Sequence, residues 1–198
     1  MRRLAVAIAI VAATAAAIRA IAVRKSEQLA GPGAYRLAGG PEREAFDALL
    51  AELARLEQVE LARRLRALDE GGALWVSPFL PGQRLAIYVS TLGLIERIYV
   101  DRGALLLAEL PFPDSDLPEE WRRLYALLRL GGTLCHELEH LDGVLEEELA
   151  YRREAAWYRT VAEASRELQL EAETKRGYEW AVESAILSVE KAAERAGG

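Results

Sequence analysis

The sequence contains very little cysteine, histidine or aromatic residue. Among its 198 residues, Cys135 is the only cysteine, and His136 and His140 are the only histidines. A single cysteine excludes an intrachain disulfide framework and any zinc module built from several cysteines. Aromatic residues make up only 7% of the chain, whereas Ala, Leu, Arg and Glu, which all favour helices, are abundant. The composition therefore predicts a mainly helical protein.

The chain also lacks an excess of positive charge. Its formal net charge is −6 at pH 7 and its isoelectric point is near 5.2. Contacts between basic side chains and phosphates supply most of the affinity for nucleic acid, so we expect no nucleic-acid partner. Hydrophobic residues make up 52% of the chain, which is enough to bury a sizeable core. The length fits one domain with a short appendage.

The N-terminal residues have the pattern of an export or anchoring segment. Two arginines precede an uncharged apolar run, residues 4–18, which contains several small residues near its end. This pattern is typical of a secretory signal peptide. If Arg19 reaches the headgroups, the run extends over residues 4–23 and becomes about long enough for a membrane anchor. We therefore expect a signal peptide or anchor over residues 1–24 and an exported or membrane-anchored protein, the alternative being a buried Ala-rich helix.

The remaining chain is expected to consist of a linker and one domain. Residues 25–40 are rich in Gly and Pro, which predicts a linker. Residues 41–198 are predicted to form the domain, beginning with a single long helix. Pro41 opens this helix, leucines recur in it near helical spacing, and Gly71 and Gly72 mark its end.

The middle of the chain changes to a β pattern. Three short segments are rich in β-branched and aromatic residues and are bounded by Gly and Pro: 73–78, 84–90 and 96–100. The residues Asp101, Arg102 and Gly103 suggest a hairpin turn into one more strand at residues 104–107. The sequence thus predicts a small antiparallel sheet of three or four strands over about residues 73–109.

The C-terminal half returns to a helical pattern from Glu119 onward. Ser115 or Asp116 is expected to cap the first of these helices, with Pro118 in its first turn. Interruptions are expected at three glycine positions, which are Gly131-Gly132, Gly143 and the vicinity of Gly177. The predicted fold class is α+β, a mostly helical domain with a small sheet.

The two histidines lie in the segment Thr-Leu-Cys-His-Glu-Leu-Glu-His-Leu-Asp-Gly, residues 133–143. On a helix, His136 and His140 are one turn apart on one face, with Cβ atoms about 6 Å apart. Their ring nitrogens can then converge on one ion at about 2 Å each, as tetrahedral zinc requires. Glu137 is rotated about 100° from His136, so it flanks the ion and can serve as general base and then acid. The alternative is a pair of surface histidines on an acidic helix.

The segment His136-Glu137-Leu138-Glu139-His140 is an HExxH motif, and on it the chain resembles the zincin metallopeptidases. The resemblance covers about residues 95–160. It implies a zinc-dependent metallopeptidase with Zn²⁺ as cofactor and a peptide or protein as substrate. It also implies a small sheet above the motif helix, whose edge strand holds the substrate backbone. The hairpin around residues 98–107 is the expected edge.

A catalytic zinc normally has three protein ligands and one open position, and the chain has no third histidine. Asp142 points away, because it lies 200° around the helix from His140. If the chain reverses after Asp142, the next helix runs back antiparallel, and Glu147 and Glu148 come level with the two histidines. The third ligand is expected to be either Glu147 or Glu148, whereas Glu146 and Glu154 are less favoured.

The family resemblance helps to choose between the two glutamates. Ala150 and Tyr151 follow Glu147 at positions +3 and +4. This is similar to the gluzincins, in which the ligand Glu is followed one turn later by Ala and then by a polar residue. The resemblance therefore implies His136, His140 and Glu147 as metal ligands, with Glu148 as the alternative. The polar residue is Tyr here, where several such families have Asp or Asn.

Two tyrosines are candidates for supporting roles. Tyr151 is expected to hydrogen-bond a ligand imidazole or to stabilise the oxyanion. Tyr158, two turns further along the same face, is a second oxyanion candidate. Each could equally be a helix-packing residue. Cys135 is expected to be a small core residue rather than a ligand.

Two further interpretations remain open. Glu137 and His140 also form an E-x-x-H pair, which resembles half of the di-iron site of ferritin-like bundles. No histidine is left for a second such pair, and the strands fit a bundle poorly. The other interpretation is a non-catalytic zincin that keeps zinc as a scaffold, against which the intact Glu137 argues. The sequence indicates no particular oligomeric state.

Overall fold

The computed structural model describes residues 2–82, 84–91, 93–106 and 117–197, with side chains described from residue 8 onward. These residues form seven helices and four strands. The helices are α1 (Arg2–Ala30), α2 (Pro41–Arg55), α3 (Val59–Glu70), α4 (Arg102–Leu105), α5 (Glu119–Leu141), α6 (Glu147–Glu167) and α7 (Ala172–Ala196). The strands are β1 (Tyr35–Arg36), β2 (Leu74–Ser77), β3 (Ala86–Thr91) and β4 (Ile95–Asp101). The predicted α+β class, mostly helical with one small sheet, is confirmed.

The sheet is mixed, so the prediction of a wholly antiparallel sheet is wrong. The strand order is β1-β2-β4-β3. Strands β3 and β4 form an antiparallel hairpin, and β1 pairs antiparallel with β2, but β2 runs parallel to β4. The reason is that the second strand of the hairpin, rather than the first, lies beside β2. Local periodicity predicted the three longer strands but contained no information about their order.

The strand predicted at residues 104–107 is not formed at residues 104–106, the part of it that the structure describes. A carboxylate oxygen of Asp101 accepts a hydrogen bond from the backbone N–H of Ala104 at 3.1 Å and caps the short helix α4 instead. Residue 107 lies outside the described residues. The expected edge strand around residues 98–107 is therefore wrong, because residues 98–101 belong to β4 in the interior of the sheet. The edge strand at that end of the sheet is β3.

Residues 25–40, which we expected to be a linker, pack against the sheet. Helix α1 continues through this region to Ala30, which is fully buried. The buried hydroxyl of Ser26 lies 2.5 Å from the hydroxyl of Tyr99 on β4. Gly31, with φ of +86°, then turns the chain toward β1. The composition suggested flexibility, but the small residues allow close packing on the sheet.

Only the C-terminal part of α1 is packed on the rest of the protein. Residues 8–21 are exposed all around the helix, with Ile8 61% and Val11 68% exposed, and burial begins at Ala22. Within the part of the chain that the structure describes, no helix has the length and apolarity needed to cross a membrane.

The helices depart from the prediction at three places. The single helix expected from Pro41 is two helices, α2 and α3, separated by a turn in which Glu57 adopts a φ of +59°. Neither Gly132 nor Gly177 interrupts a helix. Each glycine lies where a Cβ would collide with an aromatic ring, Tyr158 for Gly132 and Trp121 for Gly177. These glycines therefore permit close helix packing.

The helix ends around the predicted site agree better with expectation. The break at Gly143 is present, and this residue has a φ of +94°. The next break lies at residues 168–171, between α6 and α7. Pro118 is the N-cap of α5, whereas Ser115 and Asp116 lie outside the described residues.

Helix α5 is amphipathic, and this positions the candidate site. Its apolar face, including Leu128, Leu134 and Leu138, is buried in the main core with α2, α6 and α7. Its other face carries His136 and His140 toward the edge strand β3 and the start of α6.

Candidate metal centre

The two histidines lie in the last two turns of α5, and a tight loop brings the next helix back beside them. His136 is 5% exposed and His140 is half-buried. After α5 ends at Leu141, Gly143 reverses the chain, and α6 begins at Glu147. Helix α6 then packs antiparallel to α5: His136, near the end of α5, faces Glu147 at the start of α6, and Gly132 faces Tyr158 further along α6.

Three donor atoms converge at this end of α5. His136 Nε2 lies 3.0 Å from His140 Nε2 and 3.2 Å from Glu147 Oε2. His140 Nε2 lies 3.6 Å from Glu147 Oε1. Together, His136, His140 and Glu147 offer one ligand atom each within 4.8 Å of one another. The structure thus forms a possible metal-binding site from these three residues.

The spacing of the two imidazole nitrogens fits a small tetrahedral ion, and the Glu147 carboxylate lies close to both. Nitrogen and oxygen ligands at 2.0–2.1 Å from zinc lie about 3.3 Å from one another at the corners of a tetrahedron. The two Nε2 atoms are 3.0 Å apart, near that value, and Glu147 offers Oε2 at 3.2 Å to His136 and its other oxygen, Oε1, at 3.6 Å to His140. The side chain of Glu147 is 59% exposed, so a fourth position can open to solvent. The donor set, two imidazoles and one carboxylate, is one that zinc accepts.

Hydrogen bonding prepares His140 as a ligand. Its Nδ1 lies 2.7 Å from the backbone carbonyl oxygen of Val144, in the loop between α5 and α6. A carbonyl can only accept, so Nδ1 carries the proton and Nε2 presents a lone pair toward His136 and Glu147. The loop that reverses the chain therefore also orients the imidazole.

A buried carboxylate lies behind His136. Glu154 Oε2 is 3.4 Å from His136 Nδ1, and Glu154 Oε1 is 4.0 Å from Arg129 Nη1. Burial lowers the pKa of His136, but Glu154 and the other nearby carboxylates outweigh this effect and raise it. When Nδ1 holds its proton toward Glu154, three acceptor atoms of the cluster face one another. A metal ion, or a proton held by one of the imidazoles, stabilises such an arrangement.

Glu137 does not belong to the donor cluster but faces the same cleft. Its Oε2 accepts a hydrogen bond of 2.6 Å from the backbone N–H of Tyr88 on β3. Burial raises the pKa of Glu137, and this hydrogen bond and the two imidazoles act against the increase. The edge strand thus fixes the carboxylate beside the possible metal site.

Of the two tyrosines considered for supporting roles, only Tyr151 lies in the cleft. The ring centroid of Tyr151 lies 4.4 Å from that of His136, so Tyr151 packs against the imidazole inside the cleft. Tyr158 is fully buried, and its hydroxyl donates a 3.1 Å hydrogen bond to the carbonyl of Leu128. It does not face the cleft, so the interpretation of Tyr158 as an oxyanion residue is wrong.

The other acidic candidates and the cysteine lie away from the donor cluster. Glu148 forms an ion pair with Arg152 and lies near Gly197 at the end of α7. Glu146 is exposed. Cys135 packs against the main core, and burial raises the pKa of its thiol to about 12. A protonated, buried thiol is a poor metal ligand.

The site opens into a cleft of about 820 Å³ between α5, the start of α6, β3 and the C-terminal end of α7. Apolar residues line part of its wall, including Leu85 and Val189, and Leu145, 87% exposed, stands at its rim. Arg84, Arg129 and Arg195 also line it. A cleft of this size can accommodate several residues of an extended peptide.

Sequence reasoning missed the contact of Tyr88 and considered Glu154 only as a less favoured ligand, not as the carboxylate behind His136. Glu154 lies seven residues after Glu147, on the same face of α6, and that spacing could have indicated its position. Tyr88 contributes only a backbone N–H, which leaves no signal in the sequence.

Comparisons of the chain with protein-family models, with curated proteins and with solved structures gave no match.

Proposed function

We propose that this protein is a zinc-dependent metallopeptidase. His136, His140 and Glu147 hold the zinc ion, and Glu137 is the general base. The single observation that carries the proposal is that a cluster of three possible ligands and a separate carboxylate, held by the edge strand, lie in the same cleft. When bound, zinc supplies Lewis-acid polarisation of the scissile carbonyl and lowers the pKa of the attacking water.

Glu137 has the position that a proton-transfer group needs. It accepts the proton of the attacking water and then delivers it to the leaving amine. The hydrogen bond from Tyr88 engages Oε2, which leaves Oε1 to receive the proton. Tyr151 packs on the His136 ring within the same cleft, so its hydroxyl is the side-chain group that we assign to the oxyanion.

The substrate backbone is proposed to add to the open edge of β3. The carbonyl of Leu85 accepts a hydrogen bond from the backbone N–H of Asp101, so odd-numbered residues of this strand face β4. The even-numbered residues, Ala86, Tyr88 and Ser90, then present their backbone groups outward. The Tyr88 N–H is already bonded to Glu137, so the substrate would pair with the other outward groups. A peptide strand paired with this edge passes directly over Glu137.

The exposed part of α1 supports a membrane location. Residues 8–21 are uncharged except for Arg19, and their large apolar side chains are exposed. Arg24 and Lys25 follow. We propose that this segment directs export or associates with a lipid bilayer. The full chain should float with vesicles that contain anionic lipid, and a chain lacking residues 1–21 should remain in solution.

The test of the peptidase is the Glu137→Gln variant, which keeps the size of the side chain but removes its basicity. General acid–base groups contribute about 10²–10⁴-fold to a rate, so cleavage of an unstructured peptide library should fall by that factor. Zinc content should stay unchanged, because Glu137 is not a ligand. Glu146→Gln, which changes an exposed carboxylate in the neighbouring loop, is the matched control and should cleave normally.

Two outcomes would reject the proposal. If wild type and Glu137→Gln cleave equally, Glu137 is not the base. If neither cleaves any peptide while fully loaded with zinc, the protein is a metal-binding scaffold.

A further inference from the structure

Two arginines of the metal cleft have no partner in the described residues. Arg84 lies just before β3, and Arg195 lies in the last turn of α7; both side chains are exposed and line the cleft. Neither makes an ion pair or a hydrogen bond there. The two cleft arginines are thus available to an anionic group.

The carboxylates that line the same cleft already have partners of their own. Glu137 accepts the Tyr88 N–H, Glu147 belongs to the donor cluster, and Glu154 lies between His136 and Arg129. The three glutamates and three arginines of the lining balance in formal charge. A bound divalent cation therefore makes the cleft positive, although the whole protein has a net charge of −6. The field in the cleft favours an acidic ligand.

The geometry of the edge strand indicates where that acidic group lies in the substrate. Tyr88 marks the position of Glu137, and Arg84 lies four residues earlier, two residues before β3 begins and at most about 13 Å away. A peptide that pairs antiparallel with β3 has its residues C-terminal to the scissile bond on the Arg84 side. Arg84 then meets the substrate about two to four residues after that bond.

We propose that Arg84 and Arg195 bind a carboxylate of the substrate on the C-terminal side of the scissile bond. The substrate is an extended peptide with an acidic side chain or a free C-terminal carboxylate about two to four residues after that bond. This inference rests on the proposed function, because it assigns the substrate class of the same cleft.

The test compares matched peptides that differ only in one charge. One series carries Glu or Gln at each of the four positions after the scissile bond, and the other ends in a free carboxylate or an amide. Hydrogen bonds to charged groups are stronger than neutral ones, so the zinc-loaded full chain should prefer the acidic member about tenfold in kcat/KM. Raising the salt concentration should reduce this preference. The two series distinguish an acidic side chain from a chain end as the source of the carboxylate.

Charge reversal makes the assignment specific. Arg84→Glu and Arg195→Glu should each lower kcat/KM for the acidic peptide about tenfold and leave the neutral one within twofold. The double variant should prefer a Lys peptide instead. Arg63→Glu, on α3 and away from the cleft, is the matched control and should keep the wild-type preference. A wild-type enzyme that cleaves acidic and neutral peptides equally would overturn the inference and leave the peptidase intact.

A binding measurement separates the two proposals. Fluorescence anisotropy of the same peptides with zinc-loaded Glu137→Gln reports recognition without cleavage. If wild type cleaves nothing but this variant binds acidic peptides about tenfold more tightly than neutral ones, carboxylate recognition is supported and the peptidase is rejected. If binding shows no preference for the carboxylate, the inference fails, whatever the result for cleavage.

Discussion

Glu154 provides a quantitative test of how the metal site is built. It is buried beside His136 Nδ1 at 3.4 Å and does not belong to the donor cluster. A carboxylate that accepts the proton of a ligand imidazole fixes the ring and increases its basicity, and its loss typically lowers metal affinity 10–100-fold. Glu154→Gln keeps the shape and an acceptor oxygen, and the observed contact is long for a hydrogen bond. We therefore expect Glu154→Gln to weaken zinc binding by the lower end of that range, about tenfold in Kd, or about 1.4 kcal/mol.

The assay is competition for zinc with a chromophoric chelator at fixed pH. Glu148→Gln is the control, because it changes the carboxylate next to Glu147 on the same helix, which pairs with Arg152, and should leave affinity within twofold. Since Glu154 also faces Arg129, its substitution can destabilise the fold by leaving that charge uncompensated. Urea unfolding without metal measures the loss of fold stability in Glu154→Gln and in the Glu154→Gln/Arg129→Met double variant. This separates destabilisation of the fold from loss of zinc affinity. Folded Glu154→Gln with wild-type zinc affinity would refute the reasoning.

Two further predictions concern the fold. Gly132→Ala should lower the free energy of unfolding by about 1–3 kcal/mol in urea titrations, because its Cβ would collide with the buried Tyr158 ring. Gly39→Ala, at a position with no neighbour within 4 Å, should change it by less than about 0.5 kcal/mol. Removal of residues 1–21 should leave Tm and zinc binding unchanged, since residues 8–21 are exposed, and removal of residues 1–30 should lower Tm by several degrees. Equal Tm values for the two truncations would mean that α1 does not support the sheet.

The features that could be predicted from the sequence are those set by local spacing. The four-residue interval between His136 and His140 places both on one helical face whatever the rest of the chain does. The reversal at Gly143 follows from glycine's tolerance of positive φ. It was therefore possible to expect Glu147 and Glu148 near the histidines before the structure was known. Only the structure shows that Glu147 faces the donor cluster and Glu148 faces Arg152.

The features that could not be predicted depend on contacts between distant segments. Gly132 resembles a helix breaker in the sequence, but its role is set by Tyr158 on another helix. The strand order depends on whether β3 or β4 lies beside β2. The periodicity of each strand would be the same with β3 beside β2 as with β4 beside it, so it could not decide between them. Residues 25–40 have the composition of a linker, but burial of Ser26 against Tyr99 depends on β4, more than 70 residues away.

The most direct test of the account is the zinc content of the purified full chain, measured by elemental analysis after dialysis against a fixed free-zinc concentration. We expect one zinc per chain in the wild type, less than one tenth of that in His140→Ala, and strongly reduced zinc in Glu147→Ala. Glu148→Ala should keep one zinc per chain. A wild type that holds no zinc or holds two irons per chain would contradict the central claim. Full zinc in Glu147→Ala with loss in Glu148→Ala would contradict the ligand assignment.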